Sequence, residues 1–270
     1  MPSDASDDFK TMPQLLRWVT DDEASSVSIS SGWSQGRAVY GGLAAAIGLV
    51  AMEKLVDNSA PLRSLMTSFV APLPEALVTA NARMMRSGRS VTQTSVDVMA
   101  GAQIALHASA AFGGARDTLA VASATDFNPS PRDSVPLLGK SIKQLPGFLS
   151  RFDIHWTGGG IPLTGTKERR TGMWVRHRDN MDEFPAAKIV SLADIPPPVM
   201  MCHYSKPVMA SSLSWSLEFV VPAEEIESDW FYLDYELEAA AAGYSQQNGR
   251  IFTGDGTLVA LSRQCMVYFE

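Results

Sequence analysis

The sequence predicts an α+β chain built twice over: a buried helix followed by a four-strand antiparallel meander, then the same again. Three observations carry that expectation. The stretch Gly41–Lys54 is apolar almost all round, with its first strongly polar residues at Glu53 and Lys54. A helix enclosed on every side reads this way. After it the pattern changes to the alternation and β-branched enrichment of strands. Finally, matching landmarks recur in the second half in the same order, which is the mark of an internal duplication.

The elements follow in order. Residues 1–12 read as a loose acidic tail, and Pro13–Val19 as a short helix or edge segment before the turn-rich 25–32. Beyond the first long helix, strands are expected at 64–72, 78–86, 90–100 and 103–112. Turn signals separate them at Pro72-Leu73-Pro74, Ser87-Gly88 and Ala100-Gly101. Residues 113–150 are rich in Gly, Pro, Ser and Asp, and read as a linker with at most one short helix. Strand character returns at 152–157 and 171–178, with Gly158-Gly159-Gly160 between. A second apolar segment, 186–201, is expected to be the second long helix. It holds one carboxylate, Asp194, and the run Pro196-Pro197-Pro198, which should stop it or begin a turn. Four more strands are expected at 212–221, 230–240, 244–252 and 258–269.

The repeat shows in its landmarks. Ser64-Leu65 with Ser68 matches Ser212-Leu213 with Ser216, and Gly88-Arg89-Ser90 matches Gly243-Tyr244-Ser245. In both halves a turn glycine follows that serine by 11 residues, at Gly101 and Gly256. One copy is roughly 130 residues long. The expected division is a first unit over 1–115, a linker over 116–150 and a second unit over 151–270.

Composition excludes several classes. Hydrophobic residues make up 46% of the 270 and charged residues 19%, enough apolar material for a full core. A net charge of −7 argues against a nucleic-acid or polybasic membrane binder. Two cysteines, Cys202 and Cys265, are too few for a disulfide framework. The first residues are acidic and polar, unlike a secretory signal, and no apolar run is long enough to span a bilayer. A cytoplasmic protein without membrane or nucleic-acid partners is the expectation. The histidines His107, His155, His177 and His203 show no metal-ligand spacing, and no Gly-x-Ser-x-Gly elbow occurs. Neither a metal nor a cofactor is expected.

In this setting three local motifs stand out. Val39-Tyr40-Gly41-Gly42 opens the first helix, Leu65–Pro72 forms a strand running to a proline, and Asp255-Gly256-Thr257-Leu258-Val259-Ala260 is followed by Gln264. Together with the duplicated helix and meander, they resemble the tandem (double) hotdog of the type II acyl-CoA thioesterases over most of residues 30–270. The resemblance implies hydrolysis of acyl-CoA thioesters. It also implies a catalytic set in the second half, an Asp, a Ser or Thr and a Gln that hold a water, at Asp194, Ser216 and Gln264. Two departures are visible. Tyr40 stands where the family often has His, and Ser214-Trp215 stands where it often has Asp-His, which leaves Ser212 and Ser214 as further candidates.

The chemistry suits these residue types. A carboxylate can take a proton from water while an amide and a hydroxyl direct its lone pairs. A helix N-terminus offers N–H groups for the oxyanion, and Tyr40, Gly41 and Gly42 stand there, with no Cβ on the two glycines to hinder substrate. Taken alone, Asp194 also reads as a cap or surface carboxylate, Gln264 as an outward strand residue, and Gly41-Gly42 as helix packing. Arg83, Arg86, Arg89, Arg169, Arg170, Arg176 and Arg178 read either as phosphate contacts for CoA or as solvated strand faces. Trp33, Tyr40, Trp156 and Trp174 line either an acyl tunnel or the core. Two rival functions share the fold. One is an enoyl-thioester hydratase, which wants an Asp–His pair; the other is a non-catalytic acyl-thioester binder. Acyl chain type and further pairing of chains stay open.

Overall fold

The computed structural model describes residues 9–21, 26–56, 60–139 and 145–269. The acidic stretch over 1–8 lies outside them. Residues 9–12 are not a loose tail. Phe9 packs against Trp33, and the Arg151 guanidinium lies 3.6 Å from the centre of its ring.

The elements run α1 (Met12–Thr20), β1 (Val27–Ser28), β2 (Ser34–Gln35), β3 (Ala38–Val39), α2 (Gly41–Glu53), β4 (Leu62–Phe69), β5 (Leu77–Ser87), β6 (Thr92–Ala100) and β7 (Gln103–Phe112). The second half follows with β8 (Phe152–Gly159), β9 (Arg170–His177), α3 (Pro185–Ala193), β10 (Met209–Phe219), β11 (Phe231–Ala241), β12 (Tyr244–Thr253) and β13 (Leu258–Phe269). The two halves share one antiparallel sheet of 11 strands, in the order β1-β5-β6-β7-β4-β10-β13-β12-β11-β9-β8. The seam is the β4–β10 ladder, running from Ser214 opposite Ser68 to Glu218 opposite Ser64. Each half contributes a meander, and both helices lie on the same core.

Helix α2 is buried from Gly42 to Met52, as its lack of a polar face requires. It packs on β5, β6 and β7, and against α3. The second helix is shorter than expected. It ends at Ala193, with Asp194 as its C-terminal cap residue. The backbone reason lies just ahead: a residue before proline is pushed out of the helical region, and Pro196 starts a run of three. A separate 3-10 turn, Val199–His203, follows the prolines. In the linker, residues 113–131 carry no regular element, and short 3-10 turns stand at Arg132–Ser134 and Gly147–Arg151. Phe127 pins the linker to the second half by packing on Trp174, Tyr232 and Phe252.

Candidate active site

The C-terminus of α3 meets the N-terminus of α2, and both are held there by buried tyrosines. Tyr40, the cap residue of α2, stacks on Phe148 at 4.1 Å and donates its hydroxyl to the carbonyl of Ser191. Tyr235 on β11 donates to the carbonyl of Ala193. These carbonyls belong to the last turn of α3, where no intrahelical N–H is left to satisfy them. Burial holds both phenols well above their ordinary pKa, so both stay neutral donors. Tyr40 is fully buried and its hydroxyl is taken up by this contact, so it joins the two helices. Gly249, directly opposite Tyr235, makes room for it: a Cβ there would come within 2.5 Å of the ring.

This clamp carries the half-buried Asp194 to the mouth of α2. Its Oδ1 accepts from Gln264 Nε2 at 2.9 Å, and the carboxylate also accepts the backbone N–H of Gly42. A Cβ on Gly41 would stand 2.7 Å from Asp194 Oδ2 and 3.0 Å from the Phe69 ring, so only glycine lets the carboxylate approach. A Cβ on Gly42 would strike the Tyr40 ring at 2.6 Å. Burial pushes the Asp194 carboxyl up to about 7, although both hydrogen bonds act to lower it.

Sheet register decides which strand residues reach this place. Across the inner face one row runs Trp215, Gln264, Gln247, each opposite the next. All three are buried, and Trp215 donates its indole N–H to Ser262 Oγ at 2.9 Å. Gln247 extends the polar path away from Asp194. Its Nε2 donates to Gln264 Oε1 at 2.9 Å, and its Oε1 accepts the backbone N–H of Val199 at 2.9 Å.

Ser216 is not part of this group. It pairs with Arg263 and Met66 on the opposite, outer face of the sheet, and Met66 is 62% exposed. The reason is a β-bulge between Ser212 and Ser214, which turns the alternation over. Ser212 faces buried Met266 on the inner side, while Ser214 and Ser216 fall outside. The structure therefore brings together Asp194, Gln264, Gly41 and Gly42, with Ser212 on the same face as Gln264. It leaves Ser216 out, and it adds Gln247.

The four histidines are engaged elsewhere. His107 Nδ1 lies 2.6 Å from Asp97 Oδ1, and His155 and His203 bond to backbone carbonyls. Buried His177 bonds to Ser191 Oγ, and burial lowers its pKa to about 3, so it is neutral. None is bonded to Asp194 among the described residues.

Known families accord with this architecture. Residues 29–113 match the acyl-CoA thioesterase N-terminal domain, and residues 117–268 match the acyl-CoA thioesterase C-terminal domain. The chain belongs to the acyl-CoA thioesterase family. It is accordingly a thioester hydrolase, with acyl-CoA as the substrate that the family implies.

Among solved structures, a hot dog fold protein of unknown function from Alicyclobacillus acidocaldarius superposes with a TM-score of 0.80 at 19% identity, covering 91% of this chain and 92% of its own. The tesB protein of Mycobacterium avium subs paratuberculosis follows at 0.78 and 16%, covering 96% and 100%. Acyl-CoA thioesterase II TesB2 of Mycobacterium marinum gives 0.73 and 21%, covering 94% and 98%. At these identities the likeness is one of fold. No significant match is found among curated proteins. No helix among the described residues of this thioesterase-family chain is long and apolar enough to cross a membrane.

Proposed function

We propose that this chain hydrolyses acyl-CoA thioesters with Asp194 as the general base. The observation that carries the reading is the donor set around the carboxylate. Gln264 Nε2–H and Gly42 N–H both point at it, so the protein presents donors and leaves the remaining lone pairs to accept a proton. With its carboxyl near 7, Asp194 is poised to exchange a proton in the neutral range.

Water adds to the thioester carbonyl carbon while Asp194 takes one of its protons. The tetrahedral intermediate collapses, the C–S bond breaks, and the proton on Asp194 goes to the departing sulfur. The products are the free acid and CoA. Gln264 fixes the direction of the carboxylate, and the Ser212 hydroxyl, on the same face, takes the water-holding role. The Gly41 N–H, in the open first turn of α2, is the donor for the oxyanion, supported by the positive end of the helix.

Two features favour this over the rivals. A hydratase needs an acid–base pair, and no histidine accompanies Asp194. A passive binder has no use for an aligned Asp–Gln pair at a helix N-terminus. The test is thiol release from a panel of acyl-CoA thioesters by the native protein and by Asp194→Asn. The expected outcome is hydrolysis that drops at least about 100-fold in the variant, the scale of a lost general base. Unchanged activity in Asp194→Asn would place the site elsewhere.

A further inference from the structure

The amide bonded to Asp194 is the end of a chain of three hydrogen bonds whose direction is fixed at its far end. Val199 N–H donates to Gln247 Oε1, Gln247 Nε2 donates to Gln264 Oε1, and Gln264 Nε2 donates to Asp194 Oδ1, each at 2.9 Å. An isolated glutamine amide can turn over and present either end. A backbone N–H cannot; it only donates. Val199 therefore holds the carbonyl end of Gln247, which leaves its NH2 for Gln264, which leaves the NH2 of Gln264 for Asp194.

Sequence explains why the anchor sits there. Pro196, Pro197 and Pro198 have no N–H, so Val199 is the first backbone donor after Ile195. Its neighbour Gln247 is 0% exposed and Gln264 is 3% exposed, so water does not compete for the chain.

We propose that Gln247 is a positioning residue for the hydrolysis. It transmits the donor sense of the Val199 N–H through Gln264, so that Asp194 always receives an N–H and is favoured in its charged, base form. This rests on the reading of Asp194 as the general base. If Gln264 were reversed, its carbonyl oxygen would face Asp194, and only a protonated Asp194 could bond to it. The relay thus acts on the protonation of the base and not merely on its placement.

Two variants separate these roles. In Gln247→Leu the Gln264 amide loses its fixed sense. In Gln247→Met the side chain keeps its length but offers no amide to either neighbour. The experiment is the pH dependence of kcat and kcat/KM for thiol release, with melting temperature as a folding control. Relative to native protein, Gln247→Leu is expected to lose about tenfold in kcat, and its acidic limb should move up by about one pH unit, the size of one hydrogen bond. Gln247→Met should move the limb in the same direction. An acidic limb that stays in place in the folded variants overturns the proposal, whatever happens to kcat, since only a structural role is then left. Should Gln247→Leu fail to fold, Gln247→Met alone decides. Failure of the underlying reading looks different: Asp194→Asn would then retain activity. An inactive Asp194→Asn beside an unmoved limb in Gln247→Met would leave the base in place and remove Gln247 from the mechanism.

Discussion

Asp194 is pulled two ways, and the balance has consequences for both rate and stability. Burial raises its carboxyl to about 7, while Gln264 and Gly42 hold it below what burial alone would give. As the proposed base it acts in its charged form, so kcat/KM should rise with pH through about 7 and level off above. Its effect on stability has the opposite sign. Between the ordinary carboxylate pKa and 7 the folded chain keeps a proton that the unfolded chain has released, so stability falls as pH rises through that window. Each pKa unit is worth about 1.4 kcal/mol, so the effect amounts to a few kcal/mol. Asp194→Asn should therefore gain melting temperature over native protein at pH 8 and lose most of that advantage at pH 5. Calorimetry at the two pH values measures it, and an equal difference at both would contradict the titration. The Asp194–Gln264 pair of the proposed site could be picked out in the sequence because the order of the two residues along the chain matched a known pattern, and the structure bonds them to each other. The serine was not. Ser212, Ser214 and Ser216 share a face in a regular strand, and nothing in their identity announces the bulge that sends Ser212 inward and the other two outward. Gln247 was equally hidden, since a Gln on an alternating strand reads as an outward residue until register puts it opposite Gln264.

At the scale of elements, the helices carry the proposed site through their ends. The first was readable almost to the residue, because an apolar run with no polar face has only one place to go. The second was expected to be long and is not. Its prolines stop it early, and that early stop puts Asp194 at a C-terminus instead of on a helix flank. The Tyr235 hydroxyl on Ala193 fixes that end. Tyr235→Phe should cost about 1–2 kcal/mol in chemical unfolding, the usual value of a buried hydrogen bond, and should lower kcat more than it raises KM. A variant with native kcat would detach the clamp from the chemistry. The far end of α2 holds Glu53, whose carboxyl is raised to about 8 by burial first and then by the nearby charge of Glu224. Here too the folded state binds the proton more tightly, so stability falls as pH rises from the ordinary glutamate range to about 8. Glu53→Gln should raise the melting temperature at pH 9 and change it little at pH 5.

At the scale of the whole molecule, duplication was legible from the common order of helix, meander and turn glycines. Which strands would join the halves was not, because β4 and β10 read like any other half-buried strands until they are paired. The join matters because the proposed site draws on both copies. Gly41 and Gly42 come from the first unit, and Asp194, Gln247 and Gln264 from the second. The copies are held by the β4–β10 ladder and by α2 against α3, whereas the linker over 114–124 is exposed throughout and contributes no residue to the proposed site. A tether of this kind sets local concentration without changing the contacts of the site. A chain split between Arg116 and Asp117, with both parts made together, should therefore purify as one complex and hydrolyse acyl-CoA with a kcat within about threefold of the intact protein, because no contact of the site is cut. Each part alone should be inactive, since neither supplies both the carboxylate and the helix N-terminus that receives it. Activity in the second part alone would mean that Gly41 and Gly42 serve packing and that the oxyanion donor lies elsewhere.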